Sequence, residues 1–160
     1  MELVNKIINN QLYQSYLKNI EELEKDRIYC RHNISHFMDV ARIAYIKSME
    51  MQVPIDKRLI YAAALLHDIG RYEQYVNHIP HELAGGIIGR EILTQCGFGN
   101  EEVEIIIYAI VSHREIKGDE RMDLSGILYQ ADKLSRLCFS CKARKTCNWD
   151  EIRKNSLICL

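Results

Sequence analysis

Six side chains in this sequence, four imidazoles and two carboxylates, have the residue types and the spacing to bind metal ions. They follow the pattern H-x30-HD-x12-H-x31-H-x18-D. Such a mixture of nitrogen and oxygen donors suits borderline divalent ions such as Mn, Fe, Co, Ni or Zn rather than Ca. Six donors exceed one tetrahedral site and could hold two ions bridged by Asp68. The predicted ligands are His36, His67, Asp68, His81, His113 and Asp132.

The stretch "ALLHDIGR" places Asp68 where an apolar helix is expected to end. Residues 60–66 are apolar or aromatic on every side, which predicts a central, buried helix. A carboxylate at the negative end of a helix dipole is disfavoured, and its burial is costly unless a partner compensates. A bound cation would supply that compensation, with His67 as a natural second ligand.

Apolar residues at helical spacing turn the other predicted ligands inward. His36 is followed by apolar residues four and seven positions later, and His113 is preceded by isoleucines three and seven positions earlier. Asp132 is preceded by leucines four and eight positions earlier. His81 begins a face that continues into the glycine pair at 85–86, which would let this helix approach another backbone closely.

Simpler explanations remain open at this stage. A single inward-facing histidine is more often a hydrogen-bonded core residue than a metal ligand. Asp132 has a specific alternative, because Arg136 lies four residues further along the same helical face and could form an ordinary ion pair with it. The metal hypothesis therefore depends on the whole set coming together.

The elements that must position these residues are helices. Apolar spacing of three and four positions predicts an all-α, single-domain bundle of about six helices. Asn33 can cap the second helix, Pro80 suits the first turn of the fourth, Gly97 can end it, and Asn100 can start the fifth. We expect one domain over residues 1–160, with a core at about 33–136 and a short cysteine-bearing extension at about 138–160. The predicted helices span residues 2–24, 33–50, 56–68, 80–96, 100–114 and 123–140.

The amino-acid composition limits the classes of partner that the chain is expected to bind. The chain has 160 residues, of which 48% are apolar and 27% charged, and a net charge of -1. This near-neutral charge gives no general attraction to nucleic acid or acidic lipid, so we expect no polynucleotide or membrane partner. The first twenty residues are interrupted by Asn, Gln and Lys, which argues against a signal peptide or a spanning helix. We expect a cytoplasmic protein, and a homodimer remains open.

At these residues the chain resembles the HD-domain superfamily of metal-dependent phosphohydrolases, which is named for its His-Asp pair. The resemblance runs from about Asn33 to Arg136 through the segments "HFMDVARIA", "ALLHDIGR", "HELAGGIIG", "IVSHRE" and "YQADKLSR". Within the superfamily, the chain is most similar to the bacterial branch, with an HDIG-type motif, that cleaves dinucleoside polyphosphates.

The resemblance implies an all-helical HD-domain bundle with an octahedral metal site that hydrolyses phosphate esters or anhydrides. It also assigns the ligands residue by residue. The four ligands shared across the superfamily match His36, His67, Asp68 and Asp132, and the extra pair of its two-metal branches matches His81 and His113.

The predicted cofactor is one or two divalent ions, Mn, Fe, Co, Ni, Zn or Mg, and it determines the predicted reaction. A metal-bound hydroxide near Asp68 would attack the phosphorus of a nucleotide or another small phosphorylated compound. The predicted catalytic residues are Asp68, Lys133 and Arg71, and the predicted substrate-binding residues are Arg71, His78, Lys133 and Arg136, with Arg114 behind them.

Each of these charged groups has an equally good explanation as a solvated surface residue. His78 could contact phosphate or protonate a leaving oxygen. His32 lies four residues before His36 and could orient it or touch substrate, but a helix-start histidine without a role is the favoured interpretation.

Two alternatives to a phosphohydrolase come from other classes of protein. Similar ligand sets in proteins that this chain resembles hold di-iron centres that activate oxygen, so a di-iron HD-type oxygenase is one alternative. A non-catalytic metal-binding or nucleotide-binding module is the other. Mixed-valence iron without phosphatase activity would favour the first, and tight ligand binding without turnover would favour the second.

The final segment carries a cysteine pattern of its own. Cys138, Cys141 and Cys147 are spaced as C-x2-C-x5-C and could bind a structural metal with a fourth ligand such as Cys30. The spacing matches no common zinc finger or ferredoxin sequence. Free thiols are the favoured interpretation, because small buried cysteines pack well near a helix end.

Overall fold

The computed structural model describes residues 1–114 and 121–158. Within these ranges the chain forms eight α-helices and two 3₁₀ turns and contains no strand, which confirms the predicted all-α fold. The α-helices are α1 (Glu2–Ile8), α2 (Gln11–Leu23), α3 (Ile34–Glu50), α4 (Lys57–Leu66), α5 (Arg71–Asn77), α6 (His81–Cys96), α7 (Asn100–Ser112) and α8 (Leu124–Leu134), and the 3₁₀ turns span Cys138–Ser140 and Arg144–Thr146.

The predicted six helices differ from the observed eight for local reasons. The first predicted helix is broken after Ile8, because the Asn10 side chain accepts a hydrogen bond from the Tyr13 N–H at 3.1 Å and caps a new helix. The short helix α5 was missed because it has no buried residue, so its sequence lacks the apolar period of the longer helices. The last helix ends at Leu134 instead of continuing to residue 140.

Apart from the end of α8, the predicted boundaries of the helices that carry the site are correct to within two residues. The Asn33 side chain accepts a hydrogen bond from the His36 N–H at 3.0 Å and caps α3. Helix α6 begins directly after Pro80 and ends at Gly97, which has a left-handed backbone with φ of 87°. Helix α7 begins at Asn100, and the Glu102 carboxylate accepts a hydrogen bond from the preceding Gly99 N–H at 2.9 Å.

Helix α4 is the centre of the bundle. It contacts α1, α3, α7 and α8, and its residues Ile60 and Ala62–Leu66 are buried. Alanine at three consecutive positions lets the surrounding helices approach closely. The next residues, 67–70, therefore form a turn in the interior of the protein, where the neighbouring helices converge.

This turn is packed tightly against the start of α6. A Cβ atom added to Gly70 would lie 2.1 Å from the carbonyl oxygen of His81 and 2.5 Å from the nitrogen of Gly85. The backbone at Gly70 has an ordinary φ of -75°, so the requirement for glycine there is steric. Of the glycine pair predicted to allow a close approach, Gly85 lies against the turn that carries Asp68, and Gly86 lies against Val111 of α7.

The residues after α8 form an extension fastened to the end of that helix. The Asn155 amide donates hydrogen bonds to the carbonyl oxygens of Lys133, Leu134 and Arg136 at 2.8, 3.3 and 2.8 Å. The Tyr29 hydroxyl donates to the carbonyl oxygen of Thr146 at 3.1 Å. The last two residues of the predicted extension, 159 and 160, lie outside the described residues.

We predict that Gly70→Ala destabilises the protein by about 1–3 kcal/mol, the usual cost of forcing an extra carbon into a packed site. Urea unfolding followed by circular dichroism measures this. The matched variant is Gly85→Ala, whose added Cβ would meet its nearest atoms at 3.4–3.7 Å. It should cost clearly less, and equal stability losses in the two variants would contradict the described packing.

Candidate metal centre

Two buried carboxylates lie at the centre of the site, and different elements carry them. Asp68 comes from the turn between α4 and α5, and Asp132 comes from the last turn of α8. Their residues are only 1% and 6% exposed. Because α4 and α8 contact each other, an oxygen of each carboxylate lies within 4.8 Å of the other.

The first group of side chains lies around both carboxylates. His67 Nε2 is 3.2 Å from Asp68 Oδ2 and 3.9 Å from Asp132 Oδ1. His36 Nε2 is 3.4 Å from Asp132 Oδ1 and 3.9 Å from Asp68 Oδ2. One donor atom from each of these four residues lies within 4.8 Å of all the others, which is close enough for them to share an ion.

A second group uses the other side of Asp68. His81 Nε2 is 3.1 Å from Asp68 Oδ1, and the donor atoms of Asp68, His81 and His113 lie within 4.8 Å of one another. Asp68 therefore belongs to both groups and contacts His67 through one oxygen and His81 through the other. The structure thus brings together all six residues predicted from the sequence.

Hydrogen bonds on Nδ1 fix the orientation of the imidazoles. His67 Nδ1 lies 2.7 Å from the carbonyl oxygen of Ala64, and His113 Nδ1 lies 2.5 Å from that of Ile110. Since a carbonyl only accepts, Nδ1 carries the proton in the neutral ring, and Nε2 keeps its lone pair. His81 Nδ1 lies 2.9 Å from the Gln74 side-chain oxygen.

The inward nitrogens have no protein partner that satisfies them. Nε2 of His36, His67 and His81 is buried and without a hydrogen bond in the described structure. An unpaired buried polar atom is costly, and three such atoms directed at two carboxylates form a donor set suited to divalent ions. The buried His/Asp groups can therefore hold one or two such ions.

Cations hold the carboxylates in their ionised form. Burial alone would raise the pKa of both carboxyl groups, but Arg71 and neighbouring histidines hold the pKa of Asp68 well below its usual range. Arg136 has the same effect on Asp132, assisted by His36 and Lys133. Both groups are thus available as anionic ligands at neutral pH.

The imidazoles respond to the same electrostatic environment. Burial opposes the protonation of His67, but the adjacent Asp68 carboxylate outweighs it and raises the pKa of His67. Burial together with the positive charge of His67 lowers the pKa of His113 to about 4. His113 is therefore neutral at physiological pH and retains the lone pair that a ligand needs.

The ion pair that offered an alternative explanation for Asp132 is present as well. Arg136 donates to Asp132 Oδ1 at 2.6 Å, and Lys133 donates to Asp132 Oδ2 at 2.8 Å. The same carboxylate faces His36, so the ion pair and the cluster coexist. Arg71 Nε donates to Asp68 Oδ1 at 2.8 Å, which places the three predicted cations Arg71, Lys133 and Arg136 at the centre.

The structure does not bring every predicted residue to the cluster. His78 is exposed at the end of α5, with a left-handed φ of 57°, and no polar contact joins its side chain to the centre within the described residues. Arg114 is exposed and lies 4.0 Å from Glu82 Oε2.

His32 has more contacts than the favoured sequence interpretation allowed. Its Nδ1 lies 2.6 Å from Glu24 Oε1, and its Nε2 lies 3.5 Å from Asp68 Oδ2. Glu24 is buried, accepts the His32 backbone N–H at 2.7 Å and also accepts the Tyr75 hydroxyl. Burial raises the pKa of Glu24, but these hydrogen bonds outweigh it and lower the pKa to about 2.

Sequence patterns gave little warning of this arrangement. Glu24 follows directly after α2, on a segment with no apolar period toward the site, and Tyr75 lies on the unpredicted helix α5. The only available signal for His32 was its position four residues before His36. Ser135, whose hydroxyl oxygen lies 3.2 Å from His36 Nδ1, also carried no pattern of its own.

The cysteines of the final segment lie near Cys30, the fourth ligand considered for a structural metal: burial raises the pKa of Cys30, and Cys138 and Cys141 are close enough to add to that effect. Cys138 is buried and Cys141 and Cys147 are half-buried, and all three are free thiols. The groups of close donor atoms in the described part of the chain contain only histidine and aspartate. The structural metal at Cys138, Cys141 and Cys147 stays a prediction.

Comparison with known proteins identifies the family. The family described as HD domain matches residues 33–137, which is most of the chain and includes all six cluster residues. The chain belongs to the HD domain family, as its sequence motifs predicted. No solved structure matches the chain.

The relatives differ in how much of their own length this chain covers. The chain is 44% identical over 155 residues to an uncharacterized protein of Clostridium beijerinckii, with 97% of both chains covered. It is 32% identical over 136 residues to ribonuclease Y of Sulfurimonas denitrificans. The matched segment covers 84% of this chain but only 24% of the ribonuclease. For ribonuclease Y of Lawsonia intracellularis the identity is 29% over 126 residues, 78% of this chain and 22% of the relative.

We predict that Asp68→Ala abolishes retention of divalent metal, because Asp68 is the ligand common to both groups of the cluster. Metal content after purification, measured by plasma mass spectrometry, tests this. His78→Asn is the matched control, since it alters an exposed histidine at a left-handed position that asparagine tolerates, and it should bind metal normally. A folded Asp68→Ala protein with unchanged metal content would contradict the site.

Proposed function

We propose that this protein hydrolyses a phosphate ester or anhydride of a nucleotide or another small phosphorylated compound, with divalent ions held by the six-residue cluster. The observation that supports this most strongly is the set of buried, unpaired Nε2 atoms on His36, His67 and His81 around two ionised carboxylates. Membership of the HD domain family, which is generally one of metal-dependent hydrolases, points to the same class of reaction.

Divalent ions in such a site supply an activated water nucleophile and offset the negative charge of the phosphate. The side chains of the protein would orient the substrate around them. Arg71 and Lys133 each hold a ligand carboxylate and keep their side chains 20% and 36% exposed, so both can also meet a phosphate oxygen. Arg136 has a side chain only 8% exposed, which suits it to hold Asp132 in place.

We propose that His32 moves the proton of the reaction. Burial lowers the pKa of its imidazole, so the neutral ring can take up at Nε2 the proton that the attacking water loses and deliver it to the leaving oxygen. Its Nδ1 is held by the Glu24 carboxylate, so its Nε2 is directed toward the centre beside Asp68. It is not a member of either close donor group, which leaves Nε2 available to a substrate atom. This role replaces the one considered for His78, which lies on the surface.

The size of the substrate is a further part of the proposal. Ribonuclease Y is named for an action on RNA, but this chain spans only 22–29% of the ribonuclease Y relatives that it matches. The net charge of -1 gives no basic surface excess for a polynucleotide. We therefore favour a small substrate.

None of the described helices is long and apolar enough to cross a membrane.

A substrate screen tests the proposed activity. Purified protein of known metal content is assayed with Mn, Co, Ni, Fe or Mg against mononucleotides, dinucleoside polyphosphates, sugar phosphates and a short RNA. We expect hydrolysis of one of the small compounds, measured as its nucleotide, sugar or phosphate products by chromatography, and little cleavage of RNA. Turnover of RNA alone would contradict the proposed substrate size, and dioxygen consumption by mixed-valence iron without phosphate release would favour an oxygenase.

We predict that His32→Gln lowers kcat by about 100- to 10,000-fold, the usual effect of losing a general acid, while metal content stays unchanged. Glu24→Gln should lower kcat by a smaller factor, because the imidazole remains but loses its charged partner. The matched control is Glu22→Gln, an exposed carboxylate on α2 that should leave kcat unchanged. Loss of metal from His32→Gln, or normal turnover, would rule out the proposed role.

A further inference from the structure

Two aromatic rings lie beside Lys133, one of the three cations that contact the carboxylates of the metal centre. The ammonium of Lys133 is 5.0 Å from the centre of the Tyr129 ring and 6.0 Å from the centre of the Trp149 ring. The same ammonium is 2.8 Å from Asp132 Oδ2. A single lysine ammonium group therefore lies between the rings and a carboxylate of the cluster.

The two rings reach this position from different parts of the chain. Tyr129 lies one turn before Lys133 on α8, whereas Trp149 belongs to the extension that follows α8. The extension is held in place by Asn155, which donates to three carbonyl oxygens at the end of α8, and by the buried Lys154, which pairs with Glu151 at 2.8 Å. Trp149 thus lies between two anchored points of the extension, Thr146, whose carbonyl oxygen accepts from Tyr29, and Asn155.

Both rings are half-buried, so each keeps accessible area for a ligand. Flat, partly exposed aromatic rings bind nucleobases by stacking, and the energy is similar for every base. A lysine that holds phosphate beside such rings arranges the two chemical parts of a nucleotide in the correct order. In a nucleotide, one ribose separates the base from the phosphate. In this structure, one ammonium group separates the rings from the cluster.

We propose that Trp149 and Tyr129 form the base-binding surface of the site, so that the substrate is a nucleotide rather than a sugar phosphate or another small phosphate ester. This inference rests on the proposed function for the position of the phosphate at Lys133. It also gives the cysteine-bearing extension a role, because the extension carries one of the two rings.

Trp149 is the only tryptophan of the chain, so its fluorescence reports directly on this surface. Protein with its bound metal is mixed in a stopped-flow instrument with each of four nucleoside 5′-monophosphates and, separately, with ribose 5-phosphate, which has the same phosphate and sugar but no base. We expect at least one nucleotide to change the fluorescence rapidly and to bind about 10-fold more tightly than ribose 5-phosphate. Equal affinity for all five compounds would overturn the proposal.

Variants separate a base-binding role from a purely structural one. Trp149→Leu should weaken nucleotide binding, measured by calorimetry, by about 10-fold and leave ribose 5-phosphate binding unchanged, and Trp149→Phe should restore most of the loss. The matched control is Phe139→Leu, which removes an exposed ring from the same extension and should leave both affinities unchanged. An equal loss for both ligands in Trp149→Leu would assign the ring to packing only and overturn the proposal.

The outcomes for this surface and for the catalytic proposal are distinguishable. Base-dependent binding without hydrolysis of any compound in the substrate screen would retain the aromatic surface and reject the hydrolase. Phosphate release with equal kcat/KM for the nucleotides and ribose 5-phosphate, unchanged in ratio by Trp149→Leu, would retain the hydrolase and reject the aromatic surface.

Discussion

The structure depends on the burial of two carboxylates among inward-facing imidazole lone pairs. Asp68 and Asp132 are nearly inaccessible to solvent, and the Nε2 atoms around them lack hydrogen bonds. Burial of charge is tolerated when opposite charge compensates it. Arg71, Lys133 and Arg136 supply part of that compensation, but they do not satisfy the imidazole nitrogens, whereas a divalent ion would satisfy both kinds of ligand.

The fold supplies this arrangement through the end of one buried helix. Because α4 is enclosed by its neighbours, the turn that follows it lies in the interior, and His67 and Asp68 face α3, α6 and α8 together. Gly70 lets α6 approach that turn, which brings His81 to Asp68. Outside this cluster, Glu24, directly after α2, holds His32, and Tyr75 of α5 donates to the same Glu24 carboxylate, so elements far apart in the sequence orient one centre.

Much of this could be predicted from the sequence, and the reason is periodicity. His36, His113 and Asp132 each lie on an apolar helical face, so their direction could be inferred without coordinates. Glu24, Gln74 and Ser135 could not be found in this way, since they hydrogen-bond to His32, His81 and His36 from the ends or polar sides of elements. Helix α5 could not be predicted because it has no buried residue and therefore no apolar period. Trp149 is placed by contacts of an irregular extension, whose position cannot be inferred from periodicity.

The central claim is that the cluster binds divalent ions, and anomalous X-ray scattering from crystals soaked in manganese tests it most directly. The account predicts an anomalous peak between His36, His67, Asp68 and Asp132. It predicts a second peak near His81 and His113 when the crystal takes up more metal. A well-ordered crystal in which these side chains keep their described positions and no peak appears among them would contradict the account.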